Sequence, residues 1–599
     1  MNTLRTFENA AKLPKISDDW NRGTESYTYV MLKDQASLKQ LEAATASISA
    51  FLLKDMKLKG RESLLYRVQP FDKIILGEEM MFSMGNTGTM GKVGAEIAIG
   101  LVILLSACFN YTNLSIARSV NRGKEVGVRK VAGAMRGQIF QQFIIESVVL
   151  TMLSLGVGYL ILRLLTEYSP LGQEMGAPDS AYDPMLFLWF FIFSLLTGIF
   201  AGLIPSYSLS AFKPVEVLKN LSNIKLFGGA GLRKTLIVLQ FSLSIIILMF
   251  TQVFQQQFDY LAESDPGFRR DNIINVQLNG ENYGRLSREL LSVKGVEKIS
   301  AASVNPGKHT GGRSLVRQKP DSDPFLIDHY DVDPNFIDVL DLKLLAGDGF
   351  RTLNTNNGEE EKYVVINEKC LAWFKLGSAS EALGNQIIVD SLNLTITGVV
   401  KDFYANGFDM YINPLLLRNR PDKFQVLNVR TTNMPDSSII ADLAAVWKAS
   451  ASGEFSSNIF RQELYIAKNP SGTVSTLGFL ALISITIASL GLLGMVIYHT
   501  QTKRKEIGIR KVMGAEVSGI IFLMAKSFLK LVVIAGLIAI PVGYVTGFLF
   551  LNIFANRINI GIDIILLSFL SVLGLSAIIT GAQIYRSAAA NPVNSLRTE

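Results

Sequence analysis

Residues Glu125–Ala134 read EVGVRKVAGA, and residues Glu506–Ala515 read EIGIRKVMGA. Seven of the ten positions are identical, and the other three exchange one apolar residue for another. Each copy follows a basic lead-in, RSVNRGK before the first and TQTKRK before the second, and each lies between two long apolar runs. A second matched pair closes each unit: FKPVEVLK around Pro214 and ANPVNSLR around Pro592. The order apolar run, basic motif, apolar run, linker, apolar run, Pro-Val motif therefore occurs twice. That is an internal duplication, and it sets the architecture.

The apolar runs around these motifs fall near 94–117, 138–165, 185–208, 233–257, 474–499, 521–551 and 563–585. Crossing about 30 Å of hydrocarbon takes roughly 20 apolar residues as a helix, since only internal hydrogen bonds satisfy the backbone in lipid. All seven qualify, and stretches such as IAIGLVILLSACFNYTNLSIA outrun an ordinary core helix. Apolar residues make up 49% of the 599, bunched into these runs, so lipid contact rather than one large core accounts for them. The expected fold is a polytopic α-helical membrane protein of seven spans.

Charge sets the orientation. The segment after the first run carries Arg118, Arg122, Lys124, Arg129, Lys130 and Arg136 against one acid, Glu125. The segment after the second carries Glu167, Glu174, Asp179 and Asp183 and no base. After the third come Lys213, Lys219, Lys225, Arg233 and Lys234, and after the fifth Lys503, Arg504, Lys505, Arg510 and Lys511. Basic segments stay cytoplasmic, which places 1–92 and 259–472 outside the membrane and the C-terminus inside. The net charge of +7 reflects these topology signals rather than nucleic-acid binding. Both motifs lie on one side, so the repeat is parallel. By symmetry the parent architecture is four plus four spans. Residues 1–90 are soluble in character with no basic-then-apolar leader, so a helix and part of a domain are expected upstream of the first unit.

Candidates for chemistry are few. Cys108 and Cys370 make no disulfide framework, and His309, His329 and His499 make no metal-ligand pattern. GGAGLRKT at 228–235 lacks the glycine before lysine that a phosphate loop needs, and neither G-x-S-x-G nor H-E-x-x-H occurs. No catalytic, cofactor or metal site is expected in this chain. Glu146 is the main ionisable residue within a run, at its cytoplasmic end, and such sparse charge argues against an ion-coupled transporter. Asn110, Asn113 and Gln240 read as hydrogen-bond links between helices.

From 259 to 472 the pattern changes to strand-like alternation (NIINVQL, KYVVINE, QIIVD, LTITGVV) mixed with amphipathic helices, an α+β domain. Val400, Lys401, Asp402 and Phe403 read as a structural turn. Nothing in these residues chooses among a lipoprotein, a peptide, a drug or a partner protein, of the envelope or the outer membrane, as the ligand of 259–472.

Charge alone does not explain the shared residue order of the two basic motifs. Glycine in a helix costs about 1 kcal/mol relative to alanine, so the pairs Gly127/Gly508 and Gly133/Gly514 point to tight packing or a helix stop. A compact cationic knuckle held twice at one membrane face reads as a docking surface for a cytoplasmic partner. Its residues are Arg118, Arg122, Lys124, Glu125, Gly127, Arg129, Lys130 and Gly133, and Lys503, Arg504, Lys505, Glu506, Gly508, Arg510, Lys511 and Gly514.

The two R-K-x-x-G-A motifs, with Glu125 and Glu506 ahead of them, resemble the FtsX-like and MacB-like ABC permease superfamily in its double-unit bacterial form. QQFIIESVVLTMLSLGVG (Gln141–Gly158) looks like that family's following helix, and NIFANRI near Arg557 like its outer turn. The second unit departs at KSFLKLVVIA, where Lys526 or Ser527 stands instead of Glu146. YDVDPNFIDVLDLKLLAGDGF, VVINEKCLAWFKLG and TGVVKDFYANGF are similar to the family's MacB-like periplasmic domain. The resemblance implies five segments: an incomplete outer domain (1–92), a three-helix unit (93–222), a linker and fourth span (223–258), a second outer domain (259–472) and a second three-helix unit (473–599). It implies a bacterial inner-membrane permease that transmits motion from cytoplasmic ABC ATPase subunits, two copies by symmetry, to the outer domains. ATP and Mg would be bound by that partner, and the work would be efflux or lipid and lipoprotein handling. The competing expectation from the same machinery is a regulator of a cell-wall hydrolase or of envelope-stress signalling.

Overall fold

A computed structural model of the chain describes residues 29–32, 38–55, 68–71, 74, 90–168, 184–211, 229–307, 311–350, 361–468 and 471–589. Both Pro-Val motifs, His309, Glu174, Asp179, Asp183, Lys213, Lys219 and Lys225 lie outside these. Arg118, Lys124, Arg233, Arg504 and Lys505 lie on helices, outside the residues whose side chains are described. The chain divides into two units, residues 95–263 with 468–599 and residues 1–94 with 264–467.

Among the described residues, the first unit holds seven helices long and apolar enough to cross a membrane. They are α1 (Met90–Val131), α2 (Arg136–Tyr168), α3 (Pro184–Ser210), α4 (Gly229–Glu263), α5 (Ser471–Thr502), α7 (Val517–Leu551) and α8 (Ile562–Ala589), with the short α6 (Arg504–Val512) between α5 and α7. Their apolar windows, such as Glu96–Ser115 and Lys234–Glu263, coincide with the runs read from sequence.

Lipid tails are as apolar as leucine, so helices in a membrane associate through close packing and hydrogen bonds rather than hydrophobic burial. The bundle follows that rule. On α4, Ile237, Phe241, Ile245 and Met249 form a buried stripe every fourth residue against Ala488, Leu492 and Val496 of α5 and Val532, Ala535 and Ala539 of α7. The Ser244 and Ser484 hydroxyls meet at 2.9 Å, and Ser242 Oγ donates to the Ala535 carbonyl at 3.1 Å. Gln240 Nε2 donates to the Ser106 carbonyl of α1 at 2.8 Å, joining the two repeats. Gln257 holds the outer turn, accepting from Ile558 N at 3.0 Å and donating to the Asn556 carbonyl at 2.9 Å. In the first repeat α3 approaches α2 through Gly198 and Gly202, where a Cβ would collide with Thr151, Val148 and Ser147. Small residues four apart are the usual means of bringing two backbones this close.

The second unit is built on two sheets. Strands β1 (Ile273–Gln277), β2 (Val296–Ala302), β10 (Val426–Thr431) and β11 (Ser457–Ile459) form an antiparallel sheet in the order β11-β1-β10-β2. The remaining strands are β3 (Gly312–Arg317), β4 (Phe325–Asp331), β5 (Leu344–Gly347), β6 (Tyr363–Asn367), β7 (Gln386–Val389), β8 (Leu392–Val400) and β9 (Leu415–Arg418). They run in the order β5-β8-β6-β9-β4-β3-β7, and β7 returns to β8, closing β8, β6, β9, β4, β3 and β7 into a ring. The pairs β4–β9 and β6–β8 are parallel and the others antiparallel. Closure leaves these six strands without exposed edges, and a core cluster on either side buries both faces of β6 and β9, which accounts for their unbroken apolar runs. Helix Ser437–Ser450 packs Leu443 and Trp447 on the smaller sheet and starts at Asp436, whose carboxylate accepts from Ser438 N and Ile439 N.

One buried network stands out in this α+β domain. Arg418 of β9 is almost fully buried. Its guanidinium reaches both oxygens of Glu361 at 2.8 and 2.5 Å, Asp390 Oδ2 at 2.5 Å and Ser314 Oγ at 2.7 Å. Ser314 Oγ contacts His329 Nδ1 at 2.8 Å, and Arg420 bridges His329 Nε2 and Asp331. Arg418 holds the Asp390 carboxyl below the usual carboxylate range despite burial.

Candidate functional site

The repeated motif is a helix stop, written the same way twice. The basic segment after the first span is not a loop: α1 runs unbroken from Met90 through the motif to Val131. In the second repeat the chain breaks at Lys503, and the motif forms the separate helix α6. Both helices end identically. Gly133 and Gly514 take φ of +98° and +88°, the left-handed region that favours glycine. Gly133 N donates to the Lys130 carbonyl at 3.1 Å, and Ala134 N to the Arg129 carbonyl at 2.9 Å. Gly514 N donates to Lys511 at 3.1 Å and Ala515 N to Arg510 at 3.0 Å. This crossed pair of bonds is the Schellman motif, and it satisfies carbonyls that a helix end would leave orphaned. The R, K, G and A of R-K-V-x-G-A thus each have a backbone duty.

After the stop the chain reverses into the next span, and the hairpin closes on a small apolar core. Val126, Ile139, Phe143 and Leu209 form it in the first repeat. Ile507, Ile520 and Met524 hold the equivalent places in the second, where Ile584 of α8 joins the same cluster. Gly127 and Gly508 are buried here.

The lysines of the motif turn inward. Lys130 Nζ donates to the carbonyl of Ser210, the last residue of α3, at 2.7 Å. Lys511 Nζ donates to the carbonyls of Ala588 and Ala589, at the end of α8, at 2.8 and 3.3 Å. A cation at a helix C-terminus meets both orphan carbonyls and the negative end of the helix dipole. Burial, with Arg136 nearby, pushes the Lys130 ammonium below its ordinary range. The lysine therefore ties each knuckle to the third helix of its own unit.

The arginines stay half-exposed and pair along their own helices, Arg129 with Glu125 at 2.5 Å and Arg510 with Glu506 at 2.7 Å. Arg129 also donates to Gln142 Oε1 at 2.6 Å. Arg122 donates to both oxygens of Glu146, at 2.8 and 2.7 Å, and lies over the Phe143 ring. A hydrogen bond from Lys503, then the charges of Lys503 and Arg510, hold the Glu506 carboxyl below its usual range.

The cationic reading of the motif overlooks its apolar side. Val128 and Val131 are 59% and 66% exposed, and Ile509, Val512 and Met513 are 55%, 65% and 81% exposed. Val128 and Ile509 occupy the same motif position, as do Val131 and Val512. They lie beyond the spanning windows, which end at Ser115 and Thr502. Apolar side chains are thus presented at the same places on two copies of one hairpin. The signal was in the sequence as the V-x-x-V and I-x-x-V spacing around R-K.

Comparisons with known proteins agree with this organisation. The family profile described as FtsX-like permease C-terminal matches residues 97–214 and 478–592, one match for each repeat. The profile described as MacB-like periplasmic core domain matches 237–445. The chain is 30% identical over 200 residues to an uncharacterized ABC transporter permease, YknZ, of Bacillus subtilis, a match covering 31% of this chain and 47% of that protein. It is 28% identical over 191 residues to the macrolide export ATP-binding/permease protein MacB of Chlorobaculum tepidum, covering 31% of this chain and 27% of that protein. These alignments therefore span about half the length of the curated relatives, or less. Among solved structures, the periplasmic region of MacB from Actinobacillus actinomycetemcomitans aligns over 35% of this chain and 97% of its own length, at 15% identity and a TM-score of 0.25. The first profile covers both repeats and the second runs from the fourth span into the outer domain, and the chain belongs to the FtsX-like, MacB-like family of ABC transporter permeases.

Proposed function

We propose that this chain is the mechanical membrane subunit of an ABC system in the bacterial inner membrane. Residues 1–92 and 259–472 face outward and the C-terminus lies in the cytoplasm. Two copies of a separate cytoplasmic ATPase dock on it, one at each knuckle, and bind the ATP and Mg that drive the cycle. Their closure pushes on the knuckles, and the helices carry that motion to the outer domain. The similarity to a protein named for macrolide export supports efflux at the outer face as the work done.

One observation carries this reading: each knuckle presents exposed apolar residues and is braced to its own unit by a lysine. A docking surface needs the first feature, and a lever needs the second. A push on Val512 or Met513 reaches α5 and α7 through the hairpin core and α8 through Lys511.

The test is affinity purification of the membrane-extracted chain with co-purified proteins identified by mass spectrometry. A small ABC ATPase should be recovered, and lost when Val128, Val131, Ile509 and Val512 are all changed to Asp. Undiminished recovery from that variant would overturn the docking assignment.

A further inference from the structure

The two knuckles also differ in the carboxylates that face their cations, and a cavity lies at the second. Arg122 and Lys503 each lie three residues before the motif glutamate, and counting on from the motif pairs Glu146 with Ser527. In the first repeat two carboxylates answer two guanidinium groups: Glu146 takes Arg122, and Glu125 takes Arg129. In the second, among the described residues, Glu506 alone pairs with both Lys503, at 3.1 Å, and Arg510, at 2.7 Å. Ser527 cannot replace the missing carboxylate, and its hydroxyl turns back to the Met524 carbonyl at 2.8 Å.

What remains is a cavity of about 190 Å³ lined by His499, Lys503, Glu506, Arg510, Leu523 and Ser527 among others. Two fixed cations and a histidine face one carboxylate there. A water takes up about 30 Å³ of liquid, so the space holds a phosphate group with its solvation. Its position matters as much as its charge. Leu523 and Ser527 sit one to three turns inside the start of α7, and Phe522 and Leu523 are exposed apolar residues of that span. Lys503 and His499 close the end of α5. The cavity thus spans the junction of apolar helix and basic knuckle, the depth at which lipid headgroups lie. Basic pockets between membrane helices at this level hold anionic headgroups, and charge-assisted hydrogen bonds to phosphate oxygens are among the stronger ones available.

We propose that this cavity binds the phosphate of an anionic phospholipid, which supplies to the second repeat the negative charge that Glu146 supplies to the first. The site shares the second knuckle with the ATPase face but uses none of Ile509, Val512 and Met513, so either assignment can fail alone.

Native mass spectrometry of the detergent-purified full chain provides the test, titrated with phosphatidylglycerol, phosphatidylcholine or inorganic phosphate. One phosphatidylglycerol should be retained at least tenfold more tightly than phosphatidylcholine. Ser527→Glu, which installs the carboxylate of the first repeat, should abolish that preference, and Lys503→Gln should weaken it without adding a group to the cavity. Glu146→Ser should create a second retained phosphatidylglycerol. A preference unchanged in both Ser527→Glu and Lys503→Gln would overturn the site. Retention of inorganic phosphate with no preference between the lipids would overturn its assignment to a lipid.

Discussion

Lys511 reaches 77 positions along the chain to donate a 2.8 Å hydrogen bond to the carbonyl of Ala588, closing the second knuckle onto the last helix of its unit. Lys130 does the same to Ser210, 80 positions away. Hydrogen bonds to charged groups contribute about 1.5–3 kcal/mol. Lys511→Met keeps most of the aliphatic stem and removes the donor. It should lower the thermal midpoint of the purified chain and uncouple ATP turnover from the outer domain while leaving ATPase recovery intact. The assay is nucleotide-dependent cysteine labelling of the outer domain beside co-purification. An unaltered coupled response would remove the lysine from the lever.

The helix stop is testable at one atom. A Cβ on Gly514, at φ +88°, meets no neighbour, so Gly514→Ala isolates backbone strain from steric clash. The left-handed conformation costs a non-glycine residue about 1–2 kcal/mol, and Gly514→Ala should destabilise the chain by that amount in thermal unfolding. Gly133→Ala should match it, because the two stops share their geometry.

In the outer domain, Arg418→Met leaves Glu361 and Asp390 facing each other without their shared cation. Breaking a buried ion pair from one side costs about 3–5 kcal/mol. Hydrogen exchange across β6 and β9 should accelerate correspondingly, and the triple change Arg418→Met, Glu361→Gln, Asp390→Asn should recover most of the loss.

A pH dependence follows from Asp333. Burial is the main cause that raises its pKa from 3.8 to about 7, offset in part by the Tyr283 hydroxyl at 2.7 Å and by backbone N–H groups. Its folded pKa lies above the unfolded value, so the native state holds the proton more tightly. The associated stability is present below about pH 4 and is lost as pH rises through about 7. The rise corresponds to roughly 4 kcal/mol at most. Asp333→Asn should stabilise the domain at pH 8 and lose that advantage by pH 4, read as the difference in thermal midpoints.

Sequence carried the spans, the duplication and the change of periodicity at the outer domain, because each is a local pattern extended over many residues. It also carried the glycines of the motif, through their helix penalty. The lysine clamps were not legible: their partners are backbone carbonyls 77 to 80 positions away, which any residue supplies. Nor was the burial of Arg418. Its strand reads LLLR, and its carboxylate partners sit in Glu361, just ahead of β6, and Asp390, just after β7. The exposed valines of the knuckle passed as ordinary helix residues beside more conspicuous charges.

The most direct measurement of the central claim is the stoichiometry of the assembled complex, by native mass spectrometry of the chain with its ATPase. The account predicts two ATPase copies on the intact chain, one after either Val131→Asp or Val512→Asp, and none after both. A single bound ATPase that only one of these substitutions removes, or two that survive both, would contradict it.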